Sequence, residues 1–260
     1  MTGLPITLDV QDGVGWLTLA RAEKRNSVDP EFAGALHVLA ERCAADPAIR
    51  CVVLTGSERF FSVGGDIGAF AAAGDDAEAA VADLARAFHA GVYRLVTMEK
   101  PLVNGPAAGA GLSLAIMRDI AIAAASAHFT SAYSSVGPTP DGGASWWLPR
   151  LVGMRRAQEM VLTNRRIGAD EAGAIGLVTR VVRDEDLLPQ TRELAAALAA
   201  GPKRALGRCR AVLASRAPPT SRHSSTTKRR RSRFRPVRPK VRRASPCSLP
   251  NGRPGLNSEE

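Results

Sequence analysis

The chain has 260 residues, with 35 Lys and Arg against 25 Asp and Glu, a net charge of +10. That length suits one large domain or two small ones, and no apolar run is long enough to span a bilayer. The four cysteines (Cys43, Cys51, Cys209, Cys247) lack CxxC spacing and the four histidines are scattered, which speaks against a disulfide framework or a metal site. A reducing, cytoplasmic setting is expected, and the opening residues do not read as a signal peptide.

The charge is concentrated at one end. Residues 215–260 hold 13 basic and 2 acidic side chains, leaving 22 basic and 23 acidic in residues 1–214. This divides the chain into a near-neutral core, 1–214, and a Pro-, Ser- and Arg-rich tail, 215–260. The tail has too little apolar periodicity to bury a core of its own and is predicted to be disordered.

In chain order, "ITLDV" and "VGWLTLA" read as two strands around a Gly turn. Asp29-Pro30-Glu31 predicts a helix start, with Asp29 as N-cap and Pro30 at the first position. "CVVLTG" (51–56) has the look of a buried strand. "FFSVGGDIGAF" follows as a Gly-rich loop, 76–97 as a helix, "PLVNG" as a strand, "GAGLSLAIM" as a Gly-opened helix and "IAIAAA" as another strand. Helices are expected over 151–163 and 186–200. Strands alternating with helices predict an α/β layered domain.

Two Gly-rich turns, Ser62–Asp66 and Gly109–Gly111, each precede a helical pattern and could present free backbone N–H groups. Two such donors converging on one oxygen form an oxyanion hole, although each turn alone is better explained as chain reversal. Neither matches a phosphate-binding loop, and there is no GxSxG elbow. Asp141, in "VGPTPDGGASW", lies on a Pro-Asp-Gly turn where aspartate commonly serves the backbone.

Further residues decide more. "RAEKRNSVDPEF", "IRCVVLTGSERFFSVGGDIGAF", "KPLVNGPAAGAGLSLA", "DIAIAAASAHF" and "LPRLVGMRRAQEMVLTNRRIGADEAGAIGLVTRVV" resemble, in order, the enoyl-CoA hydratase/isomerase or crotonase superfamily. The resemblance spans residues 5–214. It implies a spiral of ββα units, assembly as a homotrimer or hexamer, and acyl-CoA thioester substrates without a separate cofactor. It also implies an oxyanion hole from the N–H groups of Gly65 and Ala110, with Lys24 and the Val63–Ile67 loop (Val63, Gly65, Asp66 and Ile67) along the CoA. The two places where hydratases of the family carry glutamates hold Ser113 and Tyr133, so two-acid hydration is not expected. A branch of the family carries an aspartate where Asp141 stands, either as the single acid of a double-bond isomerase or as the nucleophile of aryl-CoA dehalogenases. In both, an apolar pocket makes the carboxylate more reactive. His89 falls where the dehalogenases carry a pocket histidine, and Tyr133 with Trp146 or Trp147 suggests an aromatic-tolerant pocket. Isomerisation with Asp141 as proton shuttle is the leading expectation. The alternatives are a dehalogenase- or thioesterase-like enzyme, an inactive scaffold, and nucleic-acid binding through the Arg-rich tail.

Two features depart from the family. Only two residues separate Lys100-Pro101 from Asn104-Gly105, where about five are usual, which shortens the strand feeding the second oxyanion turn. The tail lacks the family's ending. Residues 249–258 can be encoded so that a two-nucleotide shift reads Ala-Lys-Arg-Lys-Ala-Gly-Phe-Glu and then a stop, as expected of a family terminus read out of frame.

Overall fold

The structure, a computed structural model, describes residues 3–56, 61–66, 68, 74–104, 111–117, 119–137 and 139–214. The tail 215–260, Ile67 and Ala110 lie outside the described residues.

Strands β1 (Ile6–Gln11) and β2 (Val14–Leu19) form an antiparallel hairpin, pairing Ile6 with Leu19 and Gln11 with Val14. Its two turn residues, Asp12 and Gly13, both have positive φ, the backbone that matches hairpin twist. Helix α1 (Pro30–Ala45) starts as the sequence predicts: the Asp29 carboxylate accepts the Phe32 N–H at 2.8 Å, and Pro30 occupies a position whose N–H has no helical partner. The helix returns the chain to β3 (Cys51–Gly56), parallel to β2, completing a ββα unit.

Helix α2 (Ala77–Thr97) leads to the three-residue β4 (Leu102–Asn104), then α3 (Leu112–Ile116) and β5 (Ile120–Ala124). A small antiparallel pair, β6 (His128–Phe129) with β7 (Ile167–Gly168), brackets α4 (Tyr133–Val136), α5 (Ala144–Val152) and α6 (Met154–Thr163). Then come α7 (Ala169–Ala174), β8 (Arg180–Val182), α8 (Leu187–Ala200) and α9 (Lys203–Ala214). The main sheet runs β1-β2-β3-β4-β5-β8, parallel from β2 onward.

The period of two along β3 separates two cores. Val52 and Leu54 pack with Phe32, Leu36, Val92 and Leu95 from α1 and α2. Cys51 and Val53 face the other way, against Leu187, Ala195 and Ala199 of α8. Helices on both faces are what an apolar parallel strand requires. Each fully buried Leu or Phe on these faces contributes about 1.5–3 kcal/mol.

One expected helix is two. The reading over 151–163 is corrected to α5 and α6, because the chain leaves the helix at Gly153 with φ +80, and α5 begins seven residues earlier than expected, at Ala144. Pro149 lies inside α5; the carbonyl it leaves unpaired, four residues back, belongs to exposed Ser145, where solvent can satisfy it. On α9, Arg210 is buried, donating to Leu95 O at 2.8 Å, to Met98 O, and to Asp119 Oδ2 at 2.6 Å. Asp119 Oδ2 also accepts the Leu102 N–H at 2.9 Å.

Candidate active site

A cavity of about 150 Å³ opens between α2, the 61–66 loop and the segment around α4. Val81, Leu84, Ala85 and Phe88 recur at helical spacing on α2 and form one apolar wall. Val28, Val63 and Leu114 extend it.

The 61–66 loop is fixed by polar residues close to the start of α1. Asn26 Nδ2 donates to Phe61 O at 2.8 Å, and Ser62 Oγ donates to Asn26 O at 2.7 Å. Asn26 is itself placed by Arg21, whose N–H reaches its Oδ1 at 2.9 Å while the guanidinium makes a two-pronged pair with Asp29. Arg21 is almost wholly buried, so this pair is a structural anchor for the loop. Beyond it, Val28 forms a parallel bridge with Gly65: Val28 N–H goes to Gly64 O at 2.8 Å, and Asp66 N–H to Val28 O at 3.1 Å. In such a bridge the bonds flank residue 65, so its own N–H points to the opposite side. Gly64 N–H is taken by Ser62 Oγ at 3.1 Å. Among the described residues the Gly65 N–H thus stays unbonded, at the cavity edge, between two neighbours whose N–H groups are both spent. The second turn approaches this loop closely. Gly111 N–H donates to Ser62 O, and a Cβ on Gly111 would lie 2.7 Å from Ser62 Cβ, so only glycine fits.

Across the cavity is Asp141, with three of the expected residues around it. Tyr133 Oη donates to Asp141 Oδ1 at 3.0 Å. Burial, reinforced by the Asp141 charge, pushes the Tyr133 phenol up, so it stays a neutral donor. Ser113 Oγ contacts Tyr133 Oη and lies 3.0 Å from Asp141 O. One hydroxyl proton cannot serve both, and a chain from Ser113 to Tyr133 to the carboxylate lets each bond polarise the next. Asp141 O also accepts the Ala144 N–H at 2.9 Å, which closes the turn opening α5.

His89 Nε2 accepts the Gly142 N–H at 3.0 Å and lies 3.6 Å from Asp141 Oδ2. These two contacts compete. The position of a backbone N–H is fixed by the chain, so Nε2 is an acceptor, the imidazole is neutral with its proton on Nδ1, and the carboxylate contact is not an ion pair in that state. The main role of His89 here is to hold the turn behind Asp141.

Several expectations need correcting. The Asp141 carboxylate is not deeply buried: its side chain is 37 % exposed, with Tyr133 and His89 in contact with its two oxygens. Trp146 and Trp147 do not line the cavity. Trp146 lies under the Arg150 guanidinium, and Trp147 packs at the edge of the main core. Of the residues expected along CoA, Val63 and Gly65 line the cavity; Lys24 Nζ lies 4.0 Å from Asp29 Oδ2, and the Asp66 N–H is bonded to Val28 O. Ala110 and Ile67 fall outside the described residues. The sequence reading missed Arg21 and Asn26, although both stand in the quoted "RAEKRNS" stretch, and it missed Ser131. A polar pair next to a capped helix was the available signal for the first two. Among the described residues no three His, Cys, Asp or Glu side chains gather closely enough to hold a metal ion.

A hairpin followed by repeated strand–helix returns, with a cavity between the loop after β3 and the helix after β4, is the crotonase architecture of the α/β class. The chain belongs to the enoyl-CoA hydratase/isomerase family, whose model matches residues 9–232, and it is an acyl-CoA enzyme of that family. It is 38 % identical over 200 residues to a probable enoyl-CoA hydratase of Rhodobacter capsulatus, covering 77 % of each chain. It is 38 % identical over 205 residues to the 1,2-epoxyphenylacetyl-CoA isomerase of Escherichia coli, covering 76 % of this chain and 77 % of that one. A 4-chlorobenzoyl coenzyme A dehalogenase of Arthrobacter is 34 % identical over 201 residues, covering 76 % and 73 %. A solved Pseudomonas aeruginosa structure superposes with a TM-score of 0.75 at 38 % identity, over 88 % of this chain and 99 % of that one. No described helix is long and apolar enough to cross a membrane.

Proposed function

We propose that the chain is an enoyl-CoA isomerase in which Asp141 shuttles one proton. The observation that carries this reading is that Asp141 is the sole carboxylate among the described residues lining the cavity. Two-acid hydration needs a second carboxylate, and Ser113 and Tyr133 supply only hydroxyls. In a 3-enoyl-CoA, the Asp141 carboxylate takes a proton from C2, and the C–H electron pair flows into a dienolate. The Gly65 N–H, joined in this reading by that of Ala110, stabilises the oxyanion. The protonated Asp141 then returns the proton to C4, so the double bond moves from C3=C4 to C2=C3 with nothing gained or lost. The Tyr133 hydroxyl, which donates to Asp141 Oδ1, steadies the charged form of Asp141 before the first transfer and after the second. Homotrimeric or hexameric assembly belongs to the same reading, and exposed Met154 and Leu162 on α6 are side chains it would cover.

The test is conversion of a 3-enoyl-CoA to the conjugated 2-enoyl-CoA, followed by ultraviolet absorbance. Asp141→Asn should lower kcat by about 10²–10⁴-fold, the usual contribution of a positioned acid–base group. Wild-type turnover in that variant would sink the reading. The His89 contact supports a second one, in which Asp141 attacks the ring of an aryl-CoA; chloride release from 4-chlorobenzoyl-CoA would favour it over isomerisation.

A further inference from the structure

Ser131 carries a hydroxyl that the fold itself does not use. The residue is 3 % exposed, its Oγ has no hydrogen-bond partner, and it borders the cavity. Among the described residues, the other hydroxyls beside it in the chain or lining the cavity are engaged: Thr130 Oγ1 with Asn164 O at 2.9 Å, Ser134 Oγ with Val161 O at 2.7 Å, Ser62 Oγ with Asn26 O, and Ser113 with Tyr133. Leaving a polar group buried and unpaired is unfavourable, and such groups are few in folded proteins. Alanine, one oxygen smaller, would fit the same space without that penalty.

We propose that Ser131 is a specificity-determining residue, whose Oγ donates a hydrogen bond to an oxygen carried on the acyl part of the substrate, beyond the reacting carbons. The substrate class is then an oxygenated acyl-CoA bearing a hydroxyl, ether or carbonyl oxygen. This rests on the acyl-CoA reading of the cavity, but not on the chemistry assigned to Asp141. The thioester oxygen already has the Gly65 N–H as its donor. The apolar wall of Val81, Leu84 and Phe88 offers Ser131 no acceptor. A plain hydrocarbon chain filling the cavity would expel water and leave the hydroxyl unpaired, whereas an oxygen at that depth restores the bond. Selectivity of this kind arises because the wrong ligand strands a buried polar group.

The test is calorimetric binding of a series of ω-hydroxyacyl-CoA thioesters of increasing length, and of their unsubstituted counterparts, to the full chain. At a matching length the wild type should bind the hydroxylated thioester about ten-fold more tightly, the usual scale of one neutral hydrogen bond. Ser131→Ala should erase that preference and bind the unsubstituted thioester at least as well. Its Tm should equal or exceed that of the wild type; a lower Tm would mean the hydroxyl is bonded within the fold and would overturn the inference. So would a preference that survives in Ser131→Ala, or a wild type that shows none at any length. Asp141→Asn should keep the preference. If the wild type isomerises no 3-enoyl-CoA but the preference holds, the isomerase reading falls and the assignment of Ser131 stands.

Discussion

Gly142 joins the proposed acid to the wall behind it, and Gly142→Ala measures how tightly that junction is built. The residue has φ +56, and a Cβ there would lie 2.9 Å from Ser113 Cβ and 3.1 Å from Phe88 Cε1. The left-handed backbone costs a non-glycine residue about 1–2 kcal/mol. Forcing a methyl group into a packed site adds about 1–3 kcal/mol. Together these give roughly 2–5 kcal/mol, read as a lowered urea midpoint. Gly137→Ala is the internal control, since that residue has φ +98 but no atom within 4 Å of its Cβ position. It should suffer the backbone cost alone, so the two variants should differ by about 1–3 kcal/mol. Relief of the contact in Gly142→Ala must shift the adjacent Asp141 or its partner Ser113. A displacement of about 1 Å lowers rates by about 10²-fold, so kcat/KM on a 3-enoyl-CoA should fall far more than in Gly137→Ala. Equal stability and equal turnover in the two variants would refute the packing argument.

His89→Ala removes the acceptor of the buried Gly142 N–H and should cost about 1–3 kcal/mol in urea unfolding, whereas His89→Gln, whose amide oxygen can accept, should recover part of it; an unchanged midpoint in His89→Ala would show that the turn does not depend on the imidazole. At acid pH the Arg21–Asp29 pair should give way. Burial alone would raise the Asp29 carboxyl, but the hydrogen bonds from Arg21 and Phe32 and the guanidinium charge outweigh it and hold the group below its ordinary 3.8. Its contribution is therefore complete above that value and is lost as pH falls below it. Asp29→Asn, which can still cap α1, should flatten this part of the pH–stability curve, and an unaltered acid limb would contradict the assignment.

What could be read from the sequence was local. Asp29-Pro30 announces a helix start through its own short-range chemistry, and "CVVLTG" announces a strand buried on both faces. Asp141 was found by its offset from Tyr133 within a resembled pattern, and a 3.0 Å hydrogen bond joins the two. The His89–Gly142 bond spans 53 residues and has no local signature. The break at Gly153 was missed because the apolar spacing on its two sides reads as one period, although the helices turn away from each other there. Trp146 looked like a pocket aromatic, but helical geometry places it outward, where Arg150, one turn on, covers it. Ser131 could not be singled out at all, since nothing in a sequence distinguishes a bonded serine from an unbonded one.

Arg210 gives the chain's end a say in the shape of the cavity. Carbonyls at a helix C-terminus have no partners of their own, and the guanidinium takes those of Leu95 and Met98. The same helix, 21 residues long, carries Val81 and Leu84 nearer its other end and Phe88 just past its middle. The helix is therefore held near that end by α9, and loosening the hold should shift the wall it carries. Changes within α9 that never approach the cavity should in this way alter which acyl group fits there, read as altered discrimination between acyl-CoA substrates when Arg210 is replaced.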